Sequence, residues 1–269
     1  MGLGCSGRIA TRHPLRFATK PGTRYPSRFA PFRFDNHPRA ESLGRNLSMH
    51  QSDDLKKHIK DLPVFPLPQI VFFPHSRLPL HIFEPRYREL IQHARKDDLP
   101  IMMGHLPSER TLDEHGRPHF LAVGGVGFME RCEELPDGRF LIELAGLSRV
   151  KVVQEHDPAF LYRRAEVEIL ESFSTNETAE EDNIQVMQMV VAGLRALNPK
   201  VAEYLSKLIQ ESRSSSALSD ALAAAVVSDP DERQRLIEEL DVTKRIESVT
   251  HRLSELLAIA SQPDGSNIN

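Results

Sequence analysis

Leu78-Pro79-Leu80-His81-Ile82-Phe83-Glu84-Pro85-Arg86-Tyr87-Arg88 passes from one kind of secondary structure to another within a few residues. Its first half is a short apolar run, which predicts an extended segment. Proline has no N–H to give to a central ladder, so such a segment belongs at a sheet edge or a barrel rim. Its second half opens a helix. Pro85 suits a first turn, where an N–H has no partner in any case, and Glu84 is favoured by the positive end of the helix dipole. Tyr87, Leu90, Ile91 and Ala94 then fall at i, i+3, i+4 and i+7, a single buried stripe.

Upstream, Leu62-Pro63-Val64-Phe65-Pro66-Leu67 is a second proline-bearing extended run, with the same expectation of an edge or rim. Downstream, 100–106 and 119–129 read as strands. Pro136-Asp137-Gly138 is a turn, because proline presets φ and glycine allows positive φ, and the runs on either side pair as a hairpin. Ala165, Val167 and Ile169 alternate with Glu166, Glu168 and Leu170, the pattern of a half-buried strand. The last third is helical. Residues 172–181 form a polar loop and a helix start. Ile184, Met187, Val190 or Val191, Leu194 and Leu197 make one apolar stripe, and Val201, Tyr204, Leu205 and Leu208 make another. Asp229-Pro230 is an N-cap followed by an N1 proline, with Leu236, Ile237 and Leu240 on the buried face. A long helix follows with Val242, Ile246, Val249, Leu253, Leu256 and Leu257. The fold class is therefore α+β: a β-rich, partly barrel-like N-terminal subdomain over 60–172, then an α-helical bundle over 173–261.

Residues 1–48 have a different composition. They hold nine of the basic residues and two acids, a balance of +7, while the remainder carries −11 of the formal net charge of −4. Five prolines break any helix there, and no apolar period is sustained. Three readings stand: a disordered tail or a start placed upstream of Met49; an Arg-rich organelle transit peptide; a basic arm for RNA or membrane. Residues 262–269 read as a polar, disordered tail. The folded part, 49–261, is acidic and would repel phosphate backbones, which argues against nucleic acid as its partner. No apolar stretch approaches the ~20 residues of a membrane span. Two cysteines, Cys5 and Cys132, are too few for a disulfide framework, which fits a reducing cytoplasmic setting, or an organelle if the tail is a transit peptide.

The chain lacks G-x-x-x-x-G-K-[ST], so a P-loop ATPase is excluded on its sequence. Gly124-Gly125-Val126-Gly127 lacks the third spaced glycine of a dinucleotide loop and reads as a flexible strand or bulge. There is no G-x-S-x-G. Ser206 and Lys207 are neighbours on a helix, so their side chains diverge and cannot form a serine–lysine pair. Cys132, between Arg131 and Glu133, reads as a structural thiol. His75, His81, His105, His115 and His119 share the β region but lack metal-ligand spacing. No catalytic residue, cofactor or metal is expected.

The stretch from Leu62-Pro63-Val64-Phe65-Pro66-Leu67-Pro68 through Val71-Phe72-Phe73-Pro74 resembles the opening of the N-terminal domain of Lon proteases. The Leu78–Arg88 segment is similar to the hallmark of the stand-alone bacterial members. So, in the same order, are Gly125-Val126-Gly127, Leu135-Pro136-Asp137-Gly138-Arg139-Phe140, Gly146-Leu147-Ser148-Arg149-Val150, 231–241 and Lys244-Arg245-Ile246. The resemblance covers about 60–258. It implies a substrate-recognition module that binds unfolded or extended polypeptide, or a partner protein, and that stands without the AAA+ ATPase and Ser-Lys protease of Lon or the ligand domain of cereblon. An enzyme with a site in the cleft between the subdomains is the alternative. The groove is expected where the subdomains join, around 170–182. Met102, Met103, Met129, Met187 and Met189 are candidates for its adaptable apolar surface, with core packing as the competing reading. Of the hallmark residues, Pro79, His81, Phe83, Glu84, Arg86 and Tyr87 read as structural, with Arg86 paired to a carboxylate and Tyr87 on the buried stripe.

Overall fold

The sheet is closed by its longest strand. In the computed structural model, which describes residues 47–109 and 111–261, six strands run β1 (Leu62–Pro68), β2 (Arg77–Ile82), β3 (Ile101–Leu106), β4 (Val123–Glu134), β5 (Phe140–Glu155) and β6 (Arg163–Leu170). Their order is β2-β5-β4-β3-β1-β6, and β5 also pairs with β6. β5 can do both because its first half, from Phe140 to Ala145, pairs with β2, while its second half, from Arg149 to Glu155, pairs with β6. Strands β5, β4, β3, β1 and β6 thus form a closed ring, with β2 added along one side, which is the barrel-like arrangement expected. All pairings are antiparallel except β1 with β3. By contacts the chain divides after Pro38, and the described residues all belong to the second unit, Arg39–Asn269. The readings made for 1–46 and 262–269 lie outside the described residues.

The two proline runs part company. β2 is an edge strand, as its Pro79 requires, and pairs with β5 alone. β1 is not at an edge: it lies between β3 and β6. The β6 ladder covers only 62–64, which leaves Pro66 and Pro68 past its end, while Pro63 lies ahead of the β3 ladder that begins at Val64. The β4–β5 hairpin turns at 136–138, where Gly138 has φ +76° and Gly138 N–H bonds to the Leu135 carbonyl at 2.8 Å. The glycine run falls inside β4, with a register shift between Val126 and Gly127. It is glycine because backbone passes there: a Cβ on Gly125 would lie 1.7 Å from the Phe72 carbonyl oxygen.

Helix α1 (Leu47–His58) sends Leu55 into the barrel core with Leu62, Val64, Met102 and Val126. Helix α2 (Pro85–Asp97) buries Tyr87, Leu90, Ile91 and Ala94, the four residues of the predicted stripe. Five helices complete the chain: α3 (Glu177–Leu197), α4 (Pro199–Glu211), α5 (Ser215–Val226), α6 (Pro230–Glu238) and α7 (Val242–Ala260). Each has a side-chain N-cap, from Asn176, Asn198, Ser214, Asp229 and Asp241 in turn, worth roughly 1 kcal/mol apiece. α5 was not marked by the sequence stripes. The α4 stripe is also rotated from its predicted position: Ala202 and Leu205 are buried, whereas Val201 and Tyr204 are 42% and 54% exposed.

A candidate polypeptide-binding cleft

At the junction expected to hold a groove, the connecting segment is tied to the start of α7. Phe173 bridges Asp241, with Phe173 N–H to the Leu240 carbonyl at 3.0 Å and Val242 N–H to the Phe173 carbonyl at 2.8 Å. Thr175 Oγ1 donates to the Asp241 carboxylate, and Thr243 Oγ1 donates to Glu180 at 2.9 Å. Deeper in the same junction, Arg149 of β5 meets Asp220 of α5 through both terminal nitrogens and donates Nε–H to the Ile237 carbonyl at 3.1 Å. Arg245 of α7 lies 3.5 Å from the same carboxylate. It donates to Ser219 Oγ, Ser216 Oγ and the Glu239 carbonyl. All three charged side chains are at most 3% exposed. Burial first, then the charge of Arg149, pushes Arg245 down to about 10, still far above neutral pH, so its guanidinium remains charged. This cluster ties the barrel to the helices.

A concave surface lies instead at the N-terminus of α2. Pro66, Arg86, Tyr87, Leu106, Arg117, Pro118, Leu161, Tyr162 and Arg163 line it. Its aromatic floor is fixed from below. Tyr87 packs on Phe65 with ring centroids 3.9 Å apart, and its hydroxyl donates to the Pro66 carbonyl at 3.0 Å. Tyr162 stacks on Phe160 at 5.2 Å, and its hydroxyl is 2.9 Å from His93 Nδ1.

The three guanidiniums of the rim already have partners. Arg86 holds Glu84 and lies 4.5 Å above the Tyr87 ring. Arg163 grips Glu155 through two nitrogens, at 2.9 and 3.0 Å. Arg117 holds Asp113 at 2.8 Å. Burial works against the Asp113 charge, but the N–H and guanidinium of Arg117, with the His115 N–H, outweigh it and hold the carboxyl at about 2. The rim is therefore charge-balanced, and what it leaves unsatisfied is apolar. Leu161 is 66% exposed, and Leu112, bridged across to Pro118, is 62% exposed.

The candidate residues separate cleanly. Arg86 and Tyr87 line the cleft, and Glu84 holds Arg86 in place. Pro79 lies in β2 opposite Glu143. His81 and Phe83 are exposed and meet edge-on at 6.0 Å. Met102, Met103 and Met187 are buried to 2% exposure or less and pack the cores, so they present no surface. Met129 is partly buried against the α2-side core. Met189 alone of the five is well exposed, at 66%. Sequence reading missed Leu161 and Arg163, which reach the cleft from separate parts of the chain, and Leu112, which is bridged to Pro118 of its lining. Cys132 is half-buried, and burial raises its pKa, which makes the thiol less reactive. Lys207 pairs with Glu211, away from Ser206. Among the described residues no three His, Cys, Asp or Glu side chains are grouped to hold a metal, and no helix is long and apolar enough to cross a membrane.

Tyr87 provides a test of the floor. Burial pushes its phenol up to about 12, from an ordinary value near 10. The neutral phenol is thus favoured by folding. Its contribution is present below about pH 10 and is lost as pH rises through about 12. The stability difference between the native chain and Tyr87→Phe, followed by thermal melting, is expected to shift against the native chain from about pH 10 upward. A constant difference across that range would show that the Tyr87 hydroxyl is not buried as described.

The fold is that of a barrel-plus-bundle module whose concave surface is apolar and already electrostatically satisfied. The chain belongs to the family described as the ATP-dependent protease La (LON) substrate-binding domain, which it matches over residues 61–255. It is 28% identical over 193 residues to Lon protease of Xanthomonas oryzae pv. oryzae, a match covering 70% of this chain and 22% of that protein. It is 26% identical over 187 residues to Lon protease of Escherichia coli K12, covering 70% and 24%. The chain thus spans about a quarter of the length of these relatives. The N-terminal domain of Mycobacterium avium complex Lon protease shares the fold, with a TM-score of 0.56, 16% identity, and coverage of 73% of this chain and 99% of that one.

Proposed function

We propose that this chain is a non-catalytic recognition module that holds unfolded or extended polypeptide, or an extended segment of a partner protein, in the cleft at the N-terminus of α2. The observation that carries this reading is the pairing of exposed Leu161 and Leu112 with a rim whose arginines are already neutralised. Such a surface gains by covering apolar area and demands no particular charge of its client. A module that must release what it holds needs only micromolar affinity, about 8 kcal/mol of binding free energy. Membership of the substrate-binding family and the lack of a P-loop motif in the sequence support binding without ATP turnover or peptide cleavage.

The test is titration of the full chain with a fluorescent, permanently unfolded protein at low and high salt. Binding is expected to change little with salt and to weaken at least about tenfold in Leu161→Asp. ATP and an unfolded protein incubated with the chain should both remain intact. Loss of binding at modest salt, or an unchanged affinity in Leu161→Asp, would remove this cleft from the reading.

A further inference from the structure

The outer face of α3 is covered by nothing else in the described chain. Between residues 183 and 194 the helix carries no charged side chain, although only one of its faces is buried. A helix polar on one side is the ordinary solution for a bundle surface; here that side is uncharged, with exposed Gln185 and Gln188 beside Val186, Met189 and Leu197, which are 37%, 66% and 46% exposed. Exposed Val201 and Tyr204 follow around the corner on α4, with exposed Glu203 between them. α3 and α7 run parallel: their N-caps meet through Thr175 and Asp241, and further on a Cβ at Gly193 would touch Leu257 at 3.2 Å. The uncharged face therefore lies beside α7 rather than beneath it.

Charge decides what would cover it. The exposed acids of α3, Glu177, Glu181 and Asp182, lie at its N-terminal end; the exposed bases Arg195 and Lys200 lie at the other end and on the corner that follows. Turned antiparallel about a point near Met189, two copies of α3 place Arg195 and Lys200 of each against the acids of the other. The uncharged middle then meets itself. A two-fold interface requires this kind of self-complementarity. An acidic chain also approaches its own copy with least repulsion where charge is absent.

We propose that the chain forms an isologous dimer through the outer face of α3, with Met189 near the two-fold axis. Sedimentation equilibrium of the full chain is expected to show the mass rise from one chain, 30.4 kDa, toward two over micromolar concentrations. Met189→Glu should raise the dimer dissociation constant at least about tenfold, with unchanged circular dichroism because the side chain is exposed. Arg195→Glu should weaken the dimer, and adding Asp182→Arg to it should restore part of the loss. A chain that stays at one-chain mass at every concentration overturns the proposal. So does a dimer indifferent to Met189→Glu. Loss of unfolded-protein binding in Met189→Glu, with no dimer in the native chain, would assign the face to a client instead.

Discussion

Asp220→Ala is expected to destabilise the chain by at least about 3–5 kcal/mol. The substitution removes the single carboxylate that faces both Arg149 and Arg245, and all three side chains are at most 3% exposed. Removing one partner of a buried ion pair costs about 3–5 kcal/mol, because the charge left behind has lost its water and its counter-ion. Two guanidiniums are stranded here, in a protein whose total stability is of the order of 5–15 kcal/mol. Their remaining bonds, to Ser216, Ser219 and the carbonyls of Ile237 and Glu239, carry no negative charge and offset little. Urea unfolding followed by circular dichroism is the measurement. Replacing Arg149, Asp220 and Arg245 together with apolar residues of similar volume should cost far less than Asp220→Ala alone, since an emptied ionic site is cheaper than a broken one. An Asp220→Ala midpoint within experimental error of the native chain would show that the cluster is open to water.

Gly125→Val is expected to cost upwards of about 3 kcal/mol, at or beyond the upper end of ordinary overpacking. A Cβ at that position would fall 1.7 Å from the Phe72 carbonyl oxygen and 2.7 Å from its carbon, so backbone rather than a flexible side chain must move. Phe72 is itself buried in the α2-side core, so displacing its peptide disturbs the packing under the cleft. Gly116→Ala is the control. Its φ of +72° penalises a side chain, but nothing lies within 4 Å, and the cost should be about 1–2 kcal/mol. Equal destabilisation by the two substitutions would refute the steric account of Gly125.

Much of the architecture was readable because it is local. The α2 stripe, the 136–138 turn and the cap Asp229 each depend on residues within a few positions of one another, and each is found where the sequence puts it. α5 was missed because its Ser- and Ala-rich run lacks a contrasting polar face. The methionines could not be sorted, since Met187 and Met189 differ only by which side of one helix they occupy, and α4 showed how far a stripe can rotate. The junction cluster left a faint mark: an aspartate at 220 amid the apolar residues 217–227, and an arginine beside Ile246 on an apolar face. Charged residues in such places signal a buried partner, but the sequence does not say which. The cleft was illegible for the same reason, as Pro66, Arg86, Arg117 and Leu161 are brought together only by closure of the sheet.

The prolines of β1 bear on how the chain emerges from the ribosome. Val64 pairs with Met102 on one side and with Arg163 on the other. Synthesis proceeds at about 5–20 residues per second, so the second neighbour arrives several seconds after the first. During that interval β1 is the bare margin of an unfinished sheet, apolar and able to pair with any nascent strand nearby. Pro66 and Pro68, two residues apart and so on one edge of the strand, deny such a strand the regular donors it needs. Over 66–68 that margin stays uncovered by β6 in the finished fold, so the prolines guard it there as well.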